Sequence, residues 1–200
     1  MKLNFFLLTG FALLSQGISV PAQTDVRRTK NIEQLLTYHA RMAASSKEEE
    51  EHHVLLRASC EKIMKGLGQL TFISNRNGRV KLQLRGIYTQ GPMLYFLFRL
   101  NNRSPLDYEI ERIRFSIVDP PARGASRTIP PASYAELSPV YQYDSTVLVP
   151  GYSRLRNVMV LPRFTLPRGK RLLIEVLEKD GGRHMQITTG NFLLERARII

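Results

Sequence analysis

The chain has 200 residues, 43% of them hydrophobic, with one cysteine, no tryptophan and a formal net charge of +12. That length accommodates one or two domains with a buried core. One thiol excludes a scaffold held by internal disulfides, and the lack of tryptophan weakens any reading that needs rings stacked on sugars.

Residues 1–22 read as a secretory signal: Lys2 gives a basic start, residues 3–20 are apolar with few interruptions, and Val20-Pro21-Ala22 fits the small-residue rule for signal-peptidase cleavage. No cysteine closes the segment, so a lipid anchor is not expected, and no second apolar run is long enough to span a bilayer. The mature chain is expected to begin near Gln23, outside the cytoplasm.

Residues 23–69 read as a helical leader. Over 31–45, Ile32, Leu35, Leu36, Ala40 and Ala43 fall near one face of a helix. A second helix starts with Ser46 as N-cap and Glu49 completing a capping box, and the acidic run over 48–51 suits the positive end of the helix dipole. Leu56, Cys60, Ile63 and Leu67 repeat at helical spacing as one stripe, and Gly66 and Gly68 end the helix. A short amphipathic helix rarely persists alone, so the stripe is expected to pack on its own domain; the sharper reading inserts Leu56, Ile63 and Leu67 into a partner's groove. Cys60 reads as a small buried residue, with an intermolecular disulfide as the alternative. His52 and His53 follow four glutamates, but a zinc site needs three or four ligands and no distant cluster completes one, so neither metal nor cofactor is expected.

Residues 70–200 read as strands and turns. In "RVKLQLRGIY", Val80, Leu82 and Leu84 alternate with Lys81, Gln83 and Arg85; "GPM" turns the chain, and "LYFLFRLNN" returns as a mostly apolar strand. "SPLD" breaks that strand, and "YEIERIRFSIVD" alternates again with a slip in its register. Prolines 120, 121, 130 and 131 mark an irregular crossing, after which "TVLVP", "LRNVMVLPRF", "KRLLIEVLEK" and "RHMQITT" complete about seven or eight strands. This pattern predicts a mainly β fold, an immunoglobulin-size sandwich preceded by one or two helices. "DGGRH" (180–184) lies between two strand-like runs and no helix follows it, which favours a glycine-bearing hairpin over a phosphate loop. As a plain turn, it is expected to tolerate loss of the Arg183 or His184 side chain.

The charge is concentrated in the strand-rich part. Residues 23–69 hold 8 Lys and Arg against 7 Asp and Glu (+1), whereas residues 70–200 hold 20 against 10 (+10), and 17 of those 20 are arginine. Arginine forks match carboxylates and phosphates, so the basic surface suggests an acidic partner, nucleic acid or anionic lipid, with Arg112, Arg114, Arg154 and Arg156 as the candidate partner-binding arginines. The arginines are spread along strands without aromatic platforms, which favours a solvated basic face over a nucleic-acid groove. "VLPGYSRL" lacks the G-x-S-x-G elbow, and no nucleophile–base spacing can be argued, so an enzyme is not expected.

The stretches "LRGIY" (84–88), "LYFLFRLNNRSPLDYEIERIRFSIVD" (94–119) and "VLPRFTLPRGKRLLIEVLEKDGGRH" (160–184), with "ERARII" at 195–200, resemble the TraN proteins of Bacteroidales conjugative transposons. The resemblance covers about residues 55–200, with the blocks in order. It implies an exported, non-enzymatic component of a type IV secretion apparatus for conjugal DNA transfer. The implied place is the periplasm or the outer membrane, in a multi-subunit complex with other transfer proteins. Such relatives carry a further β-rich domain where this chain has residues 23–69, so a shortened version is expected. A free-standing periplasmic sandwich that binds a ligand or carbohydrate is the alternative.

Overall fold

A computed structural model of the chain describes residues 37, 47–70, 72–120 and 133–200. The expected signal over 1–22, the Ser46 cap, the helix over 31–45 apart from residue 37, and prolines 121, 130 and 131 lie outside the described residues. The chain divides into two compact units, 1–48 and 49–200. Of the first, residues 37, 47 and 48 are described, and all are helical. Everything that follows concerns the second.

The described part of helix α1 covers 47–65. It is followed by β1 (Ser74–Asn77), β2 (Val80–Gln90), β3 (Met93–Asn102), β4 (Tyr108–Val118) and β5 (Ser133–Leu137). Next come β6 (Tyr141–Gln142), β7 (Leu148–Val149), β8 (Arg154–Pro162), β9 (Arg171–Glu178) and β10 (Met185–Thr189), then a single-turn helix α2 (Asn191–Leu194) and β11 (Arg198–Ile199). Eight of these strands have four residues or more, and the fold is mainly β with two sheets, as the strand pattern predicted.

One sheet runs β1-β2-β3-β8-β6, with β11 beside β2; the other runs β10-β9-β4-β5, with β7 beside β4. All pairings are antiparallel except β11 with β2. The alternation read in β2 is real: Val80, Leu82 and Leu84 are at most 1% exposed, while Lys81, Gln83 and Arg85 face outward and are half-buried. The slip expected in the fourth strand is a register shift between Ile110 and Arg112 against β9.

The inner faces meet in one core. Leu82, Leu84, Phe96, Phe98 and Leu161 from the first sheet pack against Phe115, Leu172, Ile174 and Met185 from the second. Phe115 sits at the centre, its ring 5.6 Å from Phe96 and 6.0 Å from Phe98. Each such ring removed from water contributes about 1.5–3 kcal/mol, which makes this cluster the main source of stability.

The continuous apolar runs of β3 and β8 have a separate cause. A strand covered on both faces has no polar parity, and α1 supplies the second cover. Leu56, Cys60 and Ile63 pack on Tyr95 and Leu97 of β3 and on Val158 and Val160 of β8. Ser59 Oγ adds a 2.6 Å hydrogen bond to Gln90 Oε1. Cys60 is fully buried, and burial pushes its thiol up to about 12, so the intermolecular disulfide has no accessible sulfur to form through.

Candidate interaction surfaces

The seven residues expected to bind partners are not one surface. Leu56 and Ile63 are each 3% exposed, because the stripe is spent on the sheet beneath it. Leu67 departs from the stripe and is 88% exposed. The helix ends after residue 65, Gly66 N–H bonds to Ile63 O at 3.0 Å, and Gly68 takes φ +80°, so Leu67 never completes the next turn. Glycine at 68 is needed a second time, since a Cβ there would sit 2.7 Å from Arg85 O. That carbonyl accepts from Gln69 N and Leu70 N, which turns the chain off the helix onto the edge of the sheet.

Arg154 and Arg156 lie on the outer face of the first sheet, just past the end of α1. The structure joins them to two arginines the sequence reading passed over, Arg85 on β2 and Arg99 on β3. Arg99 pairs in register with Arg156, and the charges of Arg85, Arg156 and Arg154 all act on it. Burial first, then those three charges, pull the Arg99 guanidinium below its usual range. Arg156 Nη2 donates to Gly66 O at 2.7 Å and Arg85 Nη2 to Leu67 O at 3.0 Å, so the carbonyls at the helix end hold both side chains. The shared parity of the strands is legible in sequence, but the bulge between Leu84 and Gly86 hides which arginines come together.

Arg112 and Arg114 belong to the other sheet. Arg112 is exposed on the bulged part of β4 and lines a shallow groove with Pro139, Val140, Tyr141 and Gln142. Arg114 sits 3.8 Å from both Glu136 and Glu175, so its charge is met within the chain. It also lines a cleft of about 500 Å³, to which Asn75, Arg76, Asn77, Glu175, Leu177, His184 and Gln186 contribute from β1, β9, β10 and the loop before β10.

The "DGGRH" segment does connect β9 to β10 as an antiparallel hairpin, but for other reasons than those expected. The residue at positive φ is Asp180 (φ 50°), not a glycine. Gly181 is required by close approach, because a Cβ there would collide with the Glu178 carboxylate. Arg183 is not a solvated turn residue. It pairs with Glu178 through Nε at 2.8 Å and through Nη2, and it stacks 5.3 Å from the Tyr108 ring centre. It also donates to Ser104 Oγ at 3.2 Å and Asp107 O at 2.6 Å, while Tyr108 Oη donates to Arg183 O at 3.1 Å. His184 is exposed, and its Nδ1 accepts from Glu178 N at 3.2 Å. Burial raises the Glu178 carboxyl, but the Arg183 hydrogen bonds and charge outweigh it and hold the group below the usual range.

Among the described residues, no three His, Cys, Asp or Glu side chains come close enough to hold a metal ion, and no helix is long and apolar enough to cross a membrane. Residues 54–198 of the chain match the family described as "Domain of unknown function (DUF4138)". That span is 145 of 200 residues, and the chain belongs to this family. No curated protein and no solved structure matches it.

Proposed function

We propose that this protein is a TraN-type, non-enzymatic structural subunit of a conjugative DNA-transfer apparatus of the type IV secretion kind, acting in the periplasm or at the outer membrane by binding other transfer proteins. The observation that carries the reading is one of extent. The blocks that resemble TraN proteins fall over residues 84–200, and the family match over 54–198 encloses nearly all of them together with residues 54–65 of α1. The quoted blocks keep their order from β2 to β11 and touch both sheets. A binding role is supported by the character of the surface, which offers exposed arginines and an exposed apolar Leu67 beside the helix end.

A second reading, a periplasmic ligand-binding sandwich, draws on the polar cleft lined by Arg76, Arg114, Glu175 and His184. The cleft offers one imidazole and no larger ring for stacking, which leaves carbohydrate the weaker ligand class. The two readings separate in one experiment. Cross-linking in envelopes of the native host, followed by purification of the protein, is expected to recover other conjugal transfer proteins. Recovery of a monomer carrying a bound sugar or other small ligand, with no transfer protein attached, overturns the proposal in favour of the second reading.

A further inference from the structure

The outer face of the first sheet is divided in two. Helix α1 covers the apolar half, over Tyr95, Leu97, Val158 and Val160. Past Gly66 the same face presents Arg85, Arg99, Arg154 and Arg156 from three adjacent strands. Like charges directly opposite in a sheet are destabilising, yet Arg99 and Arg156 are register partners. Among the described residues, no carboxylate lies within salt-bridge distance of any of the four. The Nε–H groups of Arg85 and Arg156 are sealed from water without an acceptor.

Compensation from within this unit is small. The end of α1 carries about half a negative charge, set against four guanidiniums. Its two carbonyls take one N–H each from Arg85 and Arg156 and fix the direction of those side chains. Among the described residues, the donors of Arg99 and Arg154 and the second terminal nitrogens of Arg85 and Arg156 have no acceptor, and they stand on adjacent strands of one sheet. Four like charges close together favour an anion carrying more than one negative charge, and guanidiniums on three strands can meet several oxygens of one tetrahedral oxyanion at once.

We propose that Arg85, Arg99, Arg154 and Arg156 form a binding site for a phosphate-class oxyanion carrying two or more negative charges, either free in solution or displayed on a lipid headgroup. The site does not depend on a role in DNA transfer. Binding relieves the repulsion among the arginines, so the unliganded site is a strained state of the fold and occupancy stabilises it.

The test is thermal unfolding of the full chain at low ionic strength, titrated with inorganic pyrophosphate. Wild type is expected to rise by about 5 °C or more at roughly 100 times Kd, and the gain is expected to shrink with added sodium chloride. Arg99→Gln removes the central charge. It is expected to unfold at a higher temperature than wild type without pyrophosphate and to lose most of the response. Arg154→Gln, at an exposed position, keeps the test readable if Arg99→Gln fails to fold, and is expected to weaken binding several-fold. Flotation with phosphatidic acid vesicles distinguishes the source: co-flotation lost in Arg154→Gln points to a lipid headgroup, and a pyrophosphate response without co-flotation points to a soluble anion. No response to pyrophosphate or vesicles overturns the proposal. So does a response to an oligoglutamate peptide alone, which would make the patch a carboxylate-binding protein interface.

Discussion

Arg183 links several elements at the end of the sandwich where β3 turns into β4. It ties the β9–β10 hairpin to Ser104 and Asp107 while neutralising Glu178, whose side chain is 6% exposed. Removing one partner of a buried ion pair leaves the other charge stranded, so Arg183→Ala is expected to cost about 3 kcal/mol, read as a lower denaturant midpoint at unchanged slope. A loss below about 0.5 kcal/mol, the scale of an ordinary surface change, would contradict the network. Gly181→Ala is expected to destabilise as well, by driving a methyl group into the Glu178 carboxylate, and an unchanged unfolding midpoint would show that the hairpin can shift aside. The Glu178 carboxyl lies lower in the folded protein than in the unfolded chain, so its contribution is complete above the unfolded carboxylate value of about 4.3 and fades as pH falls through the folded one. Unfolding midpoints measured from pH 6 down to about pH 2 are expected to fall less steeply in Glu178→Gln than in wild type. Parallel slopes would remove Glu178 from the acid response.

At the scale of elements, the sequence carried the strands better than their joints. Val80, Leu82 and Leu84 announced β2 by parity alone, and the apolar runs 94–98 and 158–161 announced strands, though not the second cover that buries both their faces. What covers them depends on a contact between α1 and strands more than thirty residues away, which no local pattern states. Leu67 was misread because helical spacing was carried one step past Gly66; the backbone at Gly68, held against Arg85, stops the helix first. The turn at 179–184 was legible as a turn, but Arg183 looked solvent-bound because its partners Ser104, Asp107 and Tyr108 are distant in sequence. The arginine cluster was half visible, through Arg154 and Arg156, and its other half lay behind the bulge at Leu84/Gly86. These readings give α1 a sharp mutational signature. Leu56→Ala and Ile63→Ala are each expected to cost about 2–5 kcal/mol, while Leu67→Ala stays within about 0.5 kcal/mol. Equal effects at Leu56 and Leu67 would mean the helix is not seated as described.

For the whole molecule, the charge of +10 in residues 70–200 and the helix-covered sandwich are the features a partner meets. At an ionic strength of 0.15 M the Debye length is about 8 Å, so exposed arginines guide encounter and register through close pairing rather than long-range attraction. The role proposed here is assembly, and its most direct test is transfer itself. In a donor carrying the conjugative element, an in-frame deletion of this gene is expected to reduce mating to the level of a transfer-deficient donor, with full recovery when the wild-type chain is supplied in trans. Mating at the wild-type frequency after the deletion, with the other transfer proteins still present at normal levels in the envelope, would contradict a structural role in the apparatus.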